Sequence, residues 1–192
     1  MMSKKQDWKP GTMIYPLPAV LVSCADRQGN DNLITVAWTG TICTDPAMLY
    51  ISVRPERYSY NLIKDSMEFT VNLTTRELAK ATDWCGVRSG RDFDKWKECN
   101  LTRQPGVKVN CPSIAESPLN IECRVTEILP LGSHHMFMAQ VLNVRAAEEL
   151  INPATGAFDL GAAGLINYSH GHYYEQGSGI GKFGWTVQKK KK

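Results

Sequence analysis

Apolar residues along this chain come in short runs separated by glycine, proline, asparagine and aspartate, a spacing that predicts strands and turns rather than long helices. Ala19-Val20-Leu21-Val22 is a continuous apolar run within Pro16 to Asp26 and suits a buried strand. The turn cluster Arg27 to Asp31 predicts a hairpin into a strand that opens at Asn32. From Asn30 to Cys43 the chain is rich in Thr, Ile, Val and Trp; Asp45-Pro46 signals a turn, and Ala47 to Arg54 resumes the pattern. These two runs are predicted to be neighbouring strands. Glu68 to Leu73 alternates Phe69 and Val71 with polar neighbours. Two longer strands are predicted over Leu119 to Leu129 and His134 to Arg145, with Val141 and Val144 on a barrel wall, and Leu165 to Tyr168 makes a last short one.

Helical signals are few. One helix is predicted from Tyr58 to Lys64. A second starts at Thr74, with Glu77 three residues on as a capping box, Leu78, Ala81 and Cys85 as its apolar face, and Gly86 as its stop. A short helix is expected over Phe93 to Glu98. Residues 1–12 read as an arm, 105–118 as irregular chain, Asn152 to Gly156 as a turn, and the Gly-rich end from Gly171 as loop, with 175–192 a second arm. Many short strands with few helices predict a mainly β protein, a β-barrel with helices at its rim, in a single domain spanning 1–192.

Charge narrows the partners. The formal net charge of +3 includes the four terminal lysines at 189–192, so the body carries 3 − 4 = −1, which argues against nucleic acid. The lysine tail reads as a solvated end. The six cysteines form no C-x-x-C pair, which removes the usual zinc and thioredoxin-like spacings. No apolar h-region opens the chain and no apolar run is long enough to span a membrane, so a cytoplasmic protein with free thiols is expected.

The candidate chemistry starts at Ser52-Val53-Arg54, where a strand passes into the helix near Tyr58. A helix start offers free N–H groups and the positive end of its dipole, and Arg54 a bidentate charge; with Ser59 they suit a phosphate. The strand before it, with Thr35, Trp38 and Thr39, suits a flat aromatic ring. Together they point to a nucleotide-like cofactor.

The pattern Asn32-x-x-Thr35-Val36-Ala37-Trp38, followed by Ser52-x-Arg54-x-x-x-Tyr58-Ser59, resembles the flavoredoxin and flavin-reductase-like group. Ser89-Gly90-Arg91-Asp92-x-Asp94-Lys95, Ile121-Glu122-Cys123, and His134 before Phe137 to Val141 extend the match. The resemblance implies an FMN-binding split β-barrel, working as a homodimer with FMN near the subunit interface. It implies that Asn32, Thr35, Val36, Ala37, Trp38 and Thr39 stand along the flavin ring. Ser52, Arg54, Tyr58 and Ser59 would then hold the phosphate, and Lys95 and His134 would also reach the cofactor. His134 is a catalytic candidate, with a positioning role favoured.

Other motifs are set aside. Gly179 to Gly184 matches G-x-G-x-x-G but neither follows a strand into a helix nor precedes a suitably placed acid, so it reads as an arm. His134 and His135, adjacent on a strand, face opposite sides. His170 and His172 lack an acidic partner for a metal, and Cys43 reads as a buried thiol. The expected activity is electron transfer through bound FMN from NADH, NADPH or a redox protein. The alternatives are a non-enzymatic FMN carrier or ligand-binding module on the same barrel, and a haem-binding or pyridoxamine-phosphate-oxidising relative.

Overall fold

In the computed structural model, which describes residues 3–188, antiparallel pairing gathers seven strands into one curled half-barrel sheet. The strands are β2 (Val20–Ala25), β3 (Asp31–Val36), β4 (Thr39–Cys43), β5 (Met48–Val53), β6 (Glu68–Leu73), β9 (Leu119–Pro130) and β10 (His135–Ala146). Their order is β3-β2-β6-β9-β10-β5-β4. The remaining strands are short. A three-stranded sheet joins β1 (Leu17–Pro18), β11 (Ile166–Ser169) and β12 (His172–Glu175), and β7 (Arg103–Gln104) pairs with β8 (Ser113–Ile114). Among the described residues there are three α-helices, α1 (Tyr58–Ser66), α2 (Ala79–Val87) and α3 (Lys95–Glu98), besides short 3-10 turns.

The first two runs of the sequence fold differently from expectation. The stretch from Asn30 to Cys43 is not one strand: it breaks at Ala37 and Trp38 into β3 and β4, which stand at opposite ends of the sheet order. Only β4 pairs with β5; β3 pairs with β2 through the Arg27–Asp31 hairpin. A local pattern cannot reveal such a crossing, because both strands carry the same β-branched composition.

The run Val20–Ala25 is buried throughout because both of its faces are covered, and its one polar residue, Ser23, reaches the Thr70 carbonyl at 3.5 Å. Val20, Val22 and Cys24 enter the main core with Ile51, Phe69 and Phe137, into which α1 packs Leu62 and Ile63. Leu21 points the other way, into a second cluster with Leu33, Cys85 of α2 and Trp96 of α3. β6 is also covered on both faces, so its polar residues are buried as well. Asn72 donates to the Leu21 carbonyl at 2.9 Å and accepts from the Ile114 N–H and the Asn120 amide, each at 2.9 Å. Burying these groups is tolerable because each is hydrogen-bonded.

Three local expectations are corrected. Thr74 does not cap α2: its hydroxyl donates to the Ala19 carbonyl and Thr75 bridges to Leu165, and a turn over residues 76–78 then leads into the helix, which begins at Ala79. Gly86 lies inside that helix, which ends at Val87. Val144 is exposed rather than set in the wall, while Val141 does pack against the core. The irregular segment 105–112 is held by carboxylates: Glu122, fully buried, accepts from the Val107 and Lys108 N–H groups at 2.8 and 2.6 Å, and Glu68 accepts from Asn110 at 2.9 Å. The lysine tail at 189–192 lies outside the described residues.

Candidate functional site

Where the chain leaves β3 and crosses to β4, the two edges of the sheet fail to join, and a cleft of about 310 Å³ opens beside the crossing. Thr35 and Val36 of β3, Ala37, Trp38, Ser52 and Arg54 line it, with His134 opposite. The backbone at the crossing is fixed: the Ser52 N–H donates to the Trp38 carbonyl at 2.8 Å, and the Thr39 hydroxyl donates to the Tyr50 carbonyl at 2.6 Å. With no core position left for it, the Trp38 ring lies at the surface, 36% exposed and parallel to the His134 ring at 6.1 Å and 3°.

His134 sits just before β10, with Nδ1 3.0 Å from the Ser133 hydroxyl. Partial burial, and then the neighbouring Arg54 charge, hold its pKa below the usual 6.5, so the ring is neutral at pH 7. His135 faces away, its Nδ1 2.8 Å from the Tyr60 hydroxyl, as expected for adjacent strand residues. Thr39 is buried and does not line the cleft. The Thr35 hydroxyl donates to the Thr82 carbonyl, so Thr35 offers the cleft mainly its backbone.

A second pocket, of about 140 Å³, lies at the start of α1. Arg57, Arg88, Arg91 and Lys95 surround it, with Asn32, Tyr58 and Ser59 on its floor. Arg57 is the N-cap residue of α1 and makes no side-chain cap; its carbonyl accepts from the Tyr60 N–H at 3.0 Å, and the Tyr58 and Ser59 N–H groups precede the first intrahelical acceptor. The helix start is bound to the sheet by the Asn32 side-chain amide, which donates to the buried Ser59 hydroxyl at 2.8 Å. Lys95 is buried, donates to the Cys85 carbonyl at 2.7 Å, and has its pKa lowered chiefly by that burial. Gly90 is required here: a Cβ at this position would stand 2.2 Å from Asn32 Oδ1.

Cleft and pocket share Ile34 and Arg57 and so lie side by side, an aromatic end next to a cationic end. Arg54, chosen from the sequence for the phosphate, lies on the cleft side and pairs with Glu56 at 2.7 Å. Arg57, Arg88 and Arg91 take the cationic end instead. Arg57 could have been found as the basic residue next to the predicted helix start; Arg88 comes from the end of α2, which only the fold brings near. Tyr168 and Tyr173 also line the cleft and were missed: Tyr168 closes the predicted last strand with nothing local to aim it at the cleft, and Tyr173 falls in the end that read as loop. In fact Gly171, at a φ of +92°, turns β11 into β12 and so delivers Tyr173. Cys43, expected to be buried, is half-buried and outside the cleft.

Residues 12–176 match the sequence profile described as "Flavin reductase like domain". The chain belongs to the flavin reductase like family. Flavoredoxin of Desulfovibrio vulgaris (Miyazaki F) is similar in structure, with a TM-score of 0.86 at 27% identity, over 93% of this chain and 97% of its own. Flavoredoxin from Methanosarcina acetivorans gives 0.85 at 25% identity, over 97% and 100%. An NADPH-flavin oxidoreductase of Streptomyces viridifaciens is 26% identical over 144 residues, 70% of this chain and 71% of its own. The family and these likenesses connect the curled half-barrel with flavin-associated redox chemistry, and its fold is that of the flavin-binding split barrels.

Proposed function

We propose that this flavin reductase-like protein binds FMN across the cleft and the pocket and passes electrons through it from NADH, NADPH or a redox protein to an acceptor. The observation that carries this reading is the adjacency, across Ile34 and Arg57, of an aromatic cleft and a pocket lined by four cations and a single acidic residue, Glu56. A ring joined through a sugar chain to one phosphate has that division of chemistry.

Arg57, Arg88 and Arg91 would meet the phosphate with charge-assisted hydrogen bonds, and the start of α1 would add N–H donors and its dipole. Lys95, already bonded to a carbonyl, adds charge from below. Backbone groups of Thr35, Val36 and Ala37 stand along the cleft wall where donors would tune a flavin's readiness to accept a hydride, which is the chemistry bound FMN supplies. Neutral His134 stacks on Trp38 and keeps a mobile proton at the mouth of the cleft without adding a cation. His134 is read as positioning the ring, not as the acid.

We further read the protein as a homodimer. Ile180, Phe183 and Trp185 near the end of the chain are exposed, as is Ile42 beside the cleft strand, and a second copy would cover them. The six free thiols fit a reducing, cytoplasmic setting.

The absorption spectrum of purified protein titrated with FMN tests the binding, and light scattering tests the dimer. Steady-state oxidation of NADH or NADPH with added FMN then separates a reductase from a pure electron carrier. The expected results are saturable FMN binding and nicotinamide oxidation that depends on it. Binding without nicotinamide turnover would favour the carrier, and no FMN binding at all would remove the proposal.

A further inference from the structure

Cys85 and Cys99 stand with their sulfurs 3.7 Å apart, Cys85 buried near the end of α2 and Cys99 half-buried at the end of α3. Fourteen positions separate them in the chain. The segment between them contributes Arg88, Ser89, Gly90, Arg91 and Lys95 to the wall of the basic pocket, three of its four cations among them, and Cys85 itself lines that pocket. The Cys85 carbonyl is also the acceptor that holds Lys95. We propose that Cys85 and Cys99 form a reversible thiol–disulfide site, oxidised by hydrogen peroxide, whose closure constrains a segment that walls the anion pocket.

The chemistry balances with the two thiols and one peroxide. Cys99, the more accessible thiol, loses its proton, and its sulfur attacks one peroxide oxygen. The O–O bond breaks, water leaves after taking up a proton, and Cys99 becomes a sulfenic acid. The Cys85 sulfur then attacks the Cys99 sulfur, the S–O bond breaks and a second water leaves. Two thiols lose two electrons and the peroxide gains them. Bond formation draws the sulfurs from 3.7 Å to the roughly 2.05 Å of a disulfide and ties the end of α2 to the end of α3. Burial raises both thiols above their usual pKa, Cys85 to about 12, so attack by thiolate is slow at neutral pH and quickens as pH rises.

The existence of the bond is independent of the flavin reading; only its effect on FMN rests on it. The test is treatment of the full chain with hydrogen peroxide, followed by alkylation under denaturing conditions and peptide mapping. The expected result is a Cys85–Cys99 linked peptide pair, lost on reduction with dithiothreitol and absent in Cys99→Ser, while Cys43→Ser retains it. Hydrogen exchange of the peptide spanning residues 88–95 should slow by about threefold or more in the oxidised form, because the cross-link removes local opening. FMN titration should give weaker binding in the oxidised form, restored by dithiothreitol. Oxidation that leaves both thiols alkylatable, or a bond that changes neither exchange nor FMN affinity, would overturn the proposal. A chain that forms the bond and slows exchange, yet binds no FMN in either state, would support the thiol site and discard the flavin reading.

Discussion

The cleft and the basic pocket meet at Ile34 and Arg57 but are built by different means. The cleft is made by a topological gap: β3 and β4 lie at opposite edges of the sheet order, and the short crossing at Ala37 and Trp38 leaves the edges unjoined. Apart from Arg54 and the shared Arg57, its side chains are neutral, and its shape depends on backbone bonds such as Ser52 N–H to the Trp38 carbonyl. The basic pocket is made by a helix start and a close contact. Asn32 reaches from β3 to Ser59 of α1, and Gly90 passes so near that a Cβ there would displace the Asn32 amide. The first end tolerates side-chain change because its frame is backbone. The second fails when one side chain moves.

That contrast sets the order of expected effects. The largest belongs to Gly90→Ala. Its Cβ would press on Asn32 Oδ1 at 2.2 Å and push the amide off Ser59. Stability should fall by about 1–3 kcal/mol from overpacking, and FMN affinity by more than about a hundredfold, since pocket and helix start shift together. Calorimetry and FMN titration read both. A variant with unchanged affinity would show that the Asn32–Ser59 link does not frame the pocket.

Next is the pair Arg57→Ala and Arg54→Ala. Loss of a charge-assisted phosphate contact by Arg57 should weaken FMN by about 1.5–3 kcal/mol, roughly tenfold to over a hundredfold. Arg54 is exposed and pairs with Glu56, so its removal should change affinity by less than about threefold. The reverse ranking, measured by titration, would move the phosphate to the cleft side.

Trp38→Ala should alter the flavin spectrum while the apo protein keeps most of its stability, since the ring is 36% exposed. Trp96→Ala is the control: that ring is 2% exposed in the second core cluster, and its loss should cost about 3–5 kcal/mol. Equal melting losses for the two would assign Trp38 to the core instead.

The smallest effect is a pH dependence from His134. Its folded pKa lies below the ordinary 6.5, so the unfolded chain takes up the proton first. Stability contributed by the neutral ring is therefore full above 6.5 and declines as pH falls from that value through the folded pKa. Melts between about pH 5 and 8 should show this decline reduced in His134→Gln. Identical profiles would mean that the ring's surroundings do not disfavour its charge.

Much of this was legible before the fold. The apolar run at Val20, the Arg27–Asp31 hairpin, α1, β6, β9 and β10 all follow from local composition and turn chemistry, whose interactions lie close in sequence. Adjacent-residue facing placed His134 and His135 on opposite sides for the same reason. The residues resembling flavoredoxin fall largely on the cleft and the adjoining pocket, because Asn32 to Trp38 and Ser52 to Ser59 flank the same gap. What lay beyond reach was every feature fixed by distant pairing. The split of Asn30–Cys43 into two edges, the replacement of Arg54 by Arg57 and Arg88 at the cationic end, and the arrival of Tyr173 depend on which strands meet across the sheet. The sequence by itself determined the elements and the kinds of chemistry they carry. Only the tertiary structure decided which side chains share a site, because long-range burial and hydrogen bonding, as at Thr74 with Ala19 or Asn32 with Ser59, override local preference.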